Sequence, residues 1–156
     1  MKKNGFTKID ILILVGLIII VGVVDIFVVS YFNKKERDIQ ILAEVNQIRS
    51  GLEVYLHYNN EYPGLNEPTV LNDAYEASEK LCQQGFKRMI DNCQKEILKQ
   101  IPNQSFVQGN RYYYQAIDNQ ANYKLEFNLE SDFKELGLVQ GKNCADNLQI
   151  INQACF

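Results

Sequence analysis

An apolar run near the N-terminus constrains this chain more than any other feature. Residues 11–32 carry a single charge, that of Asp25, among mostly aliphatic side chains. A helix of this length spans about 33 Å, which is enough to cross the hydrocarbon core of a bilayer. Lys2, Lys3 and Lys8 lie on its N-terminal side, and basic residues favour the cytoplasmic side of a membrane. The sequence therefore predicts one membrane-spanning helix, with its N-terminus in the cytoplasm and the remaining chain outside it.

A short motif precedes the apolar run and places a carboxylate at its entrance. The motif reads Gly5-Phe6-Thr7-Lys8-Ile9-Asp10. A carboxylate in an apolar layer is costly unless it is paired, so Asp10 suits an assembling subunit better than a plain anchor. The motif resembles the class III signal of type IV pilins and type II secretion pseudopilins. That family usually has glutamate at the position of Asp10 and a proline in the apolar helix, and this chain departs from both.

The resemblance implies a processing site, an assembly residue and a set of partners. A prepilin peptidase would cleave between Gly5 and Phe6 and methylate the new amine of Phe6, and Asp10 would act in assembly. The implied partners are this peptidase and methylase, other pilin subunits in a helical filament, an assembly platform protein and the inner membrane. The implied location is the inner (cytoplasmic) membrane, and then the pilus or cell surface after assembly.

Two alternatives exist for the N-terminus. A cleaved secretory signal peptide has an apolar region of about 7–15 residues followed by an A-x-A-like site, and no such site follows the run. A plain single-pass anchor stays open, because Lys34, Lys35 and Arg37 reduce the charge difference between the two ends of the helix. Such a chain would be a membrane-tethered extracytoplasmic binding module that does not polymerise, which is the alternative function.

The pattern after the apolar run predicts that the same helix continues. Apolar residues recur there at alternating spacings of four and three, which places them on one helix face: Ile41, Val45, Ile48, Leu52 and Tyr55. The helix is expected to end near Asn59 and Asn60, because Pro63 disfavours the helical conformation in the residue before it. The predicted organisation is a leader at 1–5, a transmembrane or filament-core helix at 6–32, an amphipathic helix at 33–60 that continues into the head, and a globular head at 61–156.

The rest of the chain predicts a head that mixes helix and strand. A further helix is expected over 73–100, with Asp73 as its N-cap. Alternating side chains predict a β-hairpin with strands at 112–117 and 123–129, and a short helical turn is expected from Ser131. The predicted fold class is α+β and pilin-like: a long N-terminal helix packed on a small head with a further helix, a β-hairpin and a disulfide-bounded C-terminal loop.

Four cysteines are expected to form two disulfides, because the head is placed outside the cytoplasm. Three pairings are possible, and Cys82–Cys93 with Cys144–Cys155 is favoured because each pair encloses only ten residues. Cys82–Cys93 needs a turn between its cysteines, since a straight helix would separate them by about 16 Å. The loop that ends at Cys155 resembles the disulfide-bounded C-terminal region of many pilins. Cysteine and histidine spacings typical of zinc sites do not occur. No metal site and no cofactor is predicted, and calcium binding in the C-terminal stretch stays open.

Charge and motif content narrow the function classes. Lys and Arg number 16 against 19 Asp and Glu, a net charge of −3, which argues against a generic nucleic-acid binder because such proteins usually present a basic face. P-loop, G-x-S-x-G and H-E-x-x-H motifs do not occur, so no enzyme activity is predicted. The function that the resemblance implies is a structural subunit, major or minor, of a type IV pilus or a related pseudopilus filament.

Overall fold

The structure, a computed structural model, describes residues 8–103 and 111–156. These divide into an N-terminal unit that ends at Glu36 and a second unit, Arg37–Phe156, called the head below. The described elements, in chain order, are α1 (Lys8–Asn59), β1 (Thr69–Val70), β2 (Lys80–Cys82), β3 (Gly85–Lys87), β4 (Glu96–Leu98), β5 (Tyr113–Ile117), β6 (Asn122–Leu129), a 3₁₀ turn (Lys134–Leu136), β7 (Gly141–Ala145) and β8 (Ile150–Ile151).

Helix α1 ends where the sequence predicts. The N–H of Asn60 donates to the carbonyl of Leu56 (2.8 Å), and Asn60 has a φ of 59°, a left-handed conformation that asparagine tolerates better than most residues. The chain then leaves the helix axis, and the N–H of the buried Tyr62 donates to the carbonyl of Gln120 (2.8 Å). This turn ties the end of α1 to the β5–β6 hairpin.

The predicted apolar face of α1 is buried in the head. All five of its members lie in one hydrophobic core, and only the last retains measurable exposure: Ile41, Val45, Ile48, Leu52 and Tyr55. The same core contains Leu125 and Phe127 of β6. Burial of one large aliphatic or aromatic side chain contributes about 1.5–3 kcal/mol, so this segment of α1 is a principal source of the head's stability.

A five-stranded antiparallel sheet forms the larger layer of the head. Its strand order is β1-β5-β6-β7-β8. The predicted hairpin is confirmed as β5 and β6, each of which begins within one residue of its predicted start. The connecting turn contains three consecutive residues with positive φ, Asp118, Asn119 and Gln120. The apolar alternate side chains of β6 are buried, as the pattern predicts: Tyr123, Leu125, Phe127 and Leu129. Glu126, which the pattern places on the opposite face, is buried as well.

The prediction of a further helix over 73–100 is wrong. This segment forms a second, three-stranded antiparallel sheet of order β3-β2-β4. A two-residue turn joins β2 to β3, and Gly85, the first residue of β3, adopts a φ of 106°. The Cys82–Cys93 disulfide holds the two Cα atoms 5.7 Å apart, which a straight helix between them excludes. Asp73 caps no helix; its carboxylate accepts a backbone N–H two residues further along the chain (2.8 Å).

The C-terminal segment contains more regular structure than predicted. The predicted loop includes β8, which pairs with β7. Asp146 organises the turn between these strands, because its carboxylate accepts the N–H groups of Leu148 and Gln149 (2.7 Å each). The predicted helical turn from Ser131 is shorter than expected and begins later, as the 3₁₀ turn Lys134–Leu136.

Gly51 of α1 lies against the three-stranded sheet. A Cβ atom at this position would lie 2.5 Å from Cδ1 and 2.7 Å from Cγ of Leu98, so a larger residue must displace the Leu98 side chain. We expect Gly51→Val to lower the free energy of unfolding of the head by about 1–3 kcal/mol, the usual cost of overpacking. Denaturant unfolding of the full chain in detergent, followed by the tyrosine signal in near-UV circular dichroism, measures this loss. Gln47→Val, at an exposed position of the same helix, controls for the helix propensity of valine, and equal losses in both variants would contradict the steric argument.

Candidate functional site

The N-terminal unit presents an exposed apolar helix. Large aliphatic and aromatic side chains are exposed all around the described part of this segment, from Ile9 to Phe32. Within the described residues, one helix is long and apolar enough to cross a membrane by its length and composition, and it contains this segment. A helix that is hydrophobic on every face requires an apolar environment. A bilayer or a bundle of similar helices provides such an environment.

Three predicted site residues belong to this N-terminal region. Gly5 and Phe6 lie outside the described residues. Asp10 lies in α1, two residues after the described helix begins at Lys8, and the position of its side chain is outside what the structure describes. The processing site and the assembly role of Asp10 therefore stay predictions from the sequence.

An ion pair and a buried carboxylate attach the part of α1 that begins at Arg37 to the five-stranded sheet of the head. Nε and Nη2 of Arg37 donate to the two carboxylate oxygens of Glu130 (2.6 and 2.7 Å). Asp38 is fully buried, and its Oδ1 accepts the backbone N–H of Glu130 (2.7 Å). The hydrogen bond to Glu130 raises the pKa of the Arg37 guanidinium. These contacts fix the position of α1 relative to the end of β6.

Two further carboxylates of α1 accept hydrogen bonds from tyrosines of the head. The hydroxyl of Tyr112 donates to Glu44 (2.6 Å), and that of Tyr62 donates to Glu53 (2.9 Å). Burial raises the pKa of the Tyr112 hydroxyl, and the bond to Glu44 raises it further. Partial burial raises the pKa of Glu44, and the bond from Tyr112 acts in the opposite direction. Carboxylates on the polar face of α1 therefore bond to other parts of the head, although this face also contacts solvent.

Arg49 forms a third connection between α1 and the sheet. Its Nε donates to the carbonyl of Asp146 (3.2 Å), and the hydroxyl of Tyr123 donates to the same carbonyl (3.1 Å). Asp146 lies in the turn between β7 and β8, so this contact attaches the C-terminal hairpin to the helix. Sequence reasoning missed these helix–sheet bonds, because the charged residues of α1 carry no local signal of which sheet residues they reach.

The four cysteines form the two disulfides that the sequence favours. Cys82 pairs with Cys93, and Cys144 pairs with Cys155 at a Cα–Cα distance of 5.1 Å. The second disulfide joins β7 to the C-terminal end of the chain, where the carboxylate of Glu126 also accepts the N–H of Cys155 (3.0 Å). Each bridge constrains the unfolded chain and typically contributes about 2–4 kcal/mol.

The described part of the head has clefts on its surface, among them two of similar volume. The first has a volume of about 250 Å³ and is lined in part by Tyr55, Leu65 and Phe86. The second, of about 230 Å³, is polar and includes Arg49 and Asn147. Across residues 8–103 and 111–156, no three histidine, cysteine or acidic side chains come together as metal ligands.

Comparison of this chain with family models, with curated proteins and with solved structures gives no match. Two features of the chain itself therefore point to its function: a charged motif at the start of an exposed apolar helix, and a disulfide-bonded head built around the continuation of that helix.

Proposed function

We propose that this chain is a structural subunit of a type IV pilus or a related pseudopilus filament. The observation that carries the proposal is the division of α1. Its first part is apolar and exposed, and its second part is buried in the core of a disulfide-bonded head. The motif from Gly5 to Asp10 precedes the exposed part. A filament subunit needs both parts, because the apolar part packs with other subunits while the head remains in water.

The proposed role gives each part of the chain a physical task. Cleavage after Gly5 creates a free, methylated amine on Phe6, which carries a positive charge. The exposed apolar segment stays in the inner membrane until it joins the helices of other subunits. Transfer from lipid to the filament core exchanges one apolar environment for another, so it avoids exposing these side chains to water.

Asp10 has a registration role in this scheme. A carboxylate in the apolar core pairs with the Phe6 amine of its own or an adjacent subunit. A subunit that enters out of register leaves both charges buried and unpaired, which costs several kcal/mol (about 3–5). Aspartate is one methylene shorter than the usual glutamate, so its reach is smaller. This shorter reach fits a minor or specialised subunit at least as well as a major one.

The mature N-terminus tests the proposal. We expect the protein from native membranes to begin at methylated Phe6, because the motif places a prepilin cleavage site after Gly5. Intact-mass measurement and sequencing of the N-terminal peptide by mass spectrometry give the answer directly. Gly5→Leu serves as the control, and it is expected to retain residues 1–5.

An unprocessed N-terminus would overturn the proposal. If the chain keeps Met1 or begins at Lys2 in cells with an active prepilin peptidase, the filament role fails. The membrane-tethered binding module then becomes the better interpretation, since a plain anchor keeps its leader.

A further inference from the structure

The three-stranded sheet carries a positive charge in an otherwise acidic chain. Residues 80–99 contain five basic and two acidic side chains, a net charge of +3, whereas the whole chain carries −3. The remainder of the chain therefore carries −6. The basic residues of this segment are Lys80, Lys87, Arg88, Lys95 and Lys99, and its acidic residues are Asp91 and Glu96.

The loop after β3 displays two large apolar side chains at the end of this basic sheet. We call residues 87–91 the tip. Met89 is 48% exposed and Ile90 is 83% exposed, and Arg88 beside them is exposed as well. The N–H of Asp91 donates to the carbonyl of Arg88 (3.1 Å), which closes the turn. The tip therefore presents an apolar apex with Lys87 and Arg88 at its base, where the guanidinium of Arg88 pairs with the carboxylate of Asp91 (3.3 Å).

Bonds within the head fix the backbone of the tip. The ammonium group of Lys80, which is buried, donates to the carbonyls of Asp91 (2.8 Å) and Met89 (3.3 Å). The carboxylate of Glu79 accepts the N–H of Met89 (2.9 Å), and that of Asp91 accepts the N–H of Arg88 (3.1 Å). The Cys82–Cys93 disulfide closes the same loop.

This internal bonding lowers the cost of placing the tip in an apolar environment. An unpaired backbone group in hydrocarbon costs several kcal/mol, about 2–7 depending on the reference, but both polar backbone groups of Met89 already have partners. A tip fixed in one conformation also loses little conformational entropy on binding. Apolar side chains that are rigidly displayed above basic residues suit a surface with an apolar interior and negative charge at its boundary.

We propose that the tip binds the surface of a membrane that contains anionic phospholipids. Met89 and Ile90 enter the boundary between headgroups and acyl chains, and Lys87 and Arg88 lie at the level of the phosphates. The apolar apex favours lipid over nucleic acid, whose phosphates would contact the basic residues but leave Ile90 in water. The acidic remainder of a second copy of this chain would attract the same basic residues, so the test separates that partner from lipid.

The absence of tryptophan from the sequence gives a direct test. The full Ile90→Trp chain is held in nanodiscs of phosphatidylcholine, and vesicles of brominated phosphatidylglycerol mixed with phosphatidylcholine are added. We expect the tryptophan emission to shift to shorter wavelength and to be quenched. Vesicles of brominated phosphatidylcholine alone are expected to give little quenching. The control is Leu148→Trp, in which an 84% exposed side chain of the other disulfide loop is replaced, and its emission is expected to stay unchanged.

The basic residues are tested in the same assay. Adding Lys87→Gln to the Ile90→Trp chain is expected to weaken vesicle binding about fivefold, the factor that one basic residue near an anionic surface contributes. High salt is also expected to weaken vesicle binding, because it screens the attraction between the basic residues and the anionic lipids. Met89→Trp is a second reporter of the tip, and it replaces Ile90→Trp in the assay if that variant does not fold.

Four results would overturn the proposal. The first is unchanged emission of both tip reporters with anionic vesicles, and the second is equal quenching of Leu148→Trp. The third is a spectral shift that appears without vesicles when only the protein concentration is raised. The fourth is a response to duplex DNA without a response to vesicles. The third result indicates a second copy of the chain as the partner, and the fourth indicates nucleic acid. The readout belongs to the head alone, so it does not depend on leader cleavage or filament assembly.

Discussion

Asp10→Ala is expected to abolish filament assembly while the head stays folded. In the proposed filament, the substitution would leave the Phe6 amine without its carboxylate in the apolar core. Breaking one partner of a buried ion pair costs about 3–5 kcal/mol, which lowers the equilibrium for adding a subunit more than about a hundredfold. Shearing filaments from cells and measuring this subunit in the sheared fraction by immunoblot gives the effect, with total cellular protein as the reference.

Two variants make the Asp10 result specific. Asp10→Glu keeps the charge and adds one methylene, so we expect assembly at the wild-type level or above. Asp25→Ala removes the only other carboxylate of the apolar segment. At helical rise, the 19 residues from Phe6 to Asp25 correspond to about 28 Å, which in the proposed topology would put Asp25 near the outer headgroups, so little loss is expected. Normal filaments from Asp10→Ala, with its N-terminus correctly processed, would show that Asp10 has no registration role.

Local patterns predicted the parts of the fold whose side chains repeat over many residues. The apolar face of α1 follows a helical period from Ile41 to Tyr55, and all of it is buried. Strand β6 alternates over seven residues from Tyr123 to Leu129 and was predicted nearly to the residue. In both cases one regular element faces one core, so the period of the sequence equals the period of the structure.

The segment 73–100 shows where this approach fails. Each of its strands has three residues, too few for alternation to appear, so apolar residues from different strands produce a spacing that resembles a helix. Leu81 and Leu98 belong to different strands and are paired across the sheet. The disulfide requirement at Cys82 already demanded a turn in this segment, and it was better evidence than the apolar spacing.

The contacts that attach α1 to the head were beyond local reasoning for another reason. Arg37 and Glu130 are separated by 93 residues, and Glu44 and Tyr112 by 68. Each of these residues taken alone is a common polar residue on a solvated face. Only the three-dimensional arrangement of helix and sheet determines that their side chains meet.

Ile48→Ala is expected to give one of the largest losses of stability among simple truncations of α1. Ile48 is fully buried in the head's core, and truncating such a residue to alanine removes buried surface and leaves a cavity. The expected fall in the free energy of unfolding is about 2–5 kcal/mol. The total free energy of unfolding of a domain is typically about 5–15 kcal/mol, so this fall is a large share of it. Denaturant unfolding of the full chain in detergent measures it, and near-UV circular dichroism of the tyrosines reports on the head.

Ile39→Ala is the matched control, because it changes the same residue type in the same helix at a side chain that is 58% exposed. Its expected effect is within about 0.5 kcal/mol. The difference between the two variants isolates burial from helix propensity, since both substitutions gain the same propensity for alanine. Equal stabilities for the two variants would mean that this face of α1 does not pack in the head, and the division of α1 on which the filament proposal rests would fail with it.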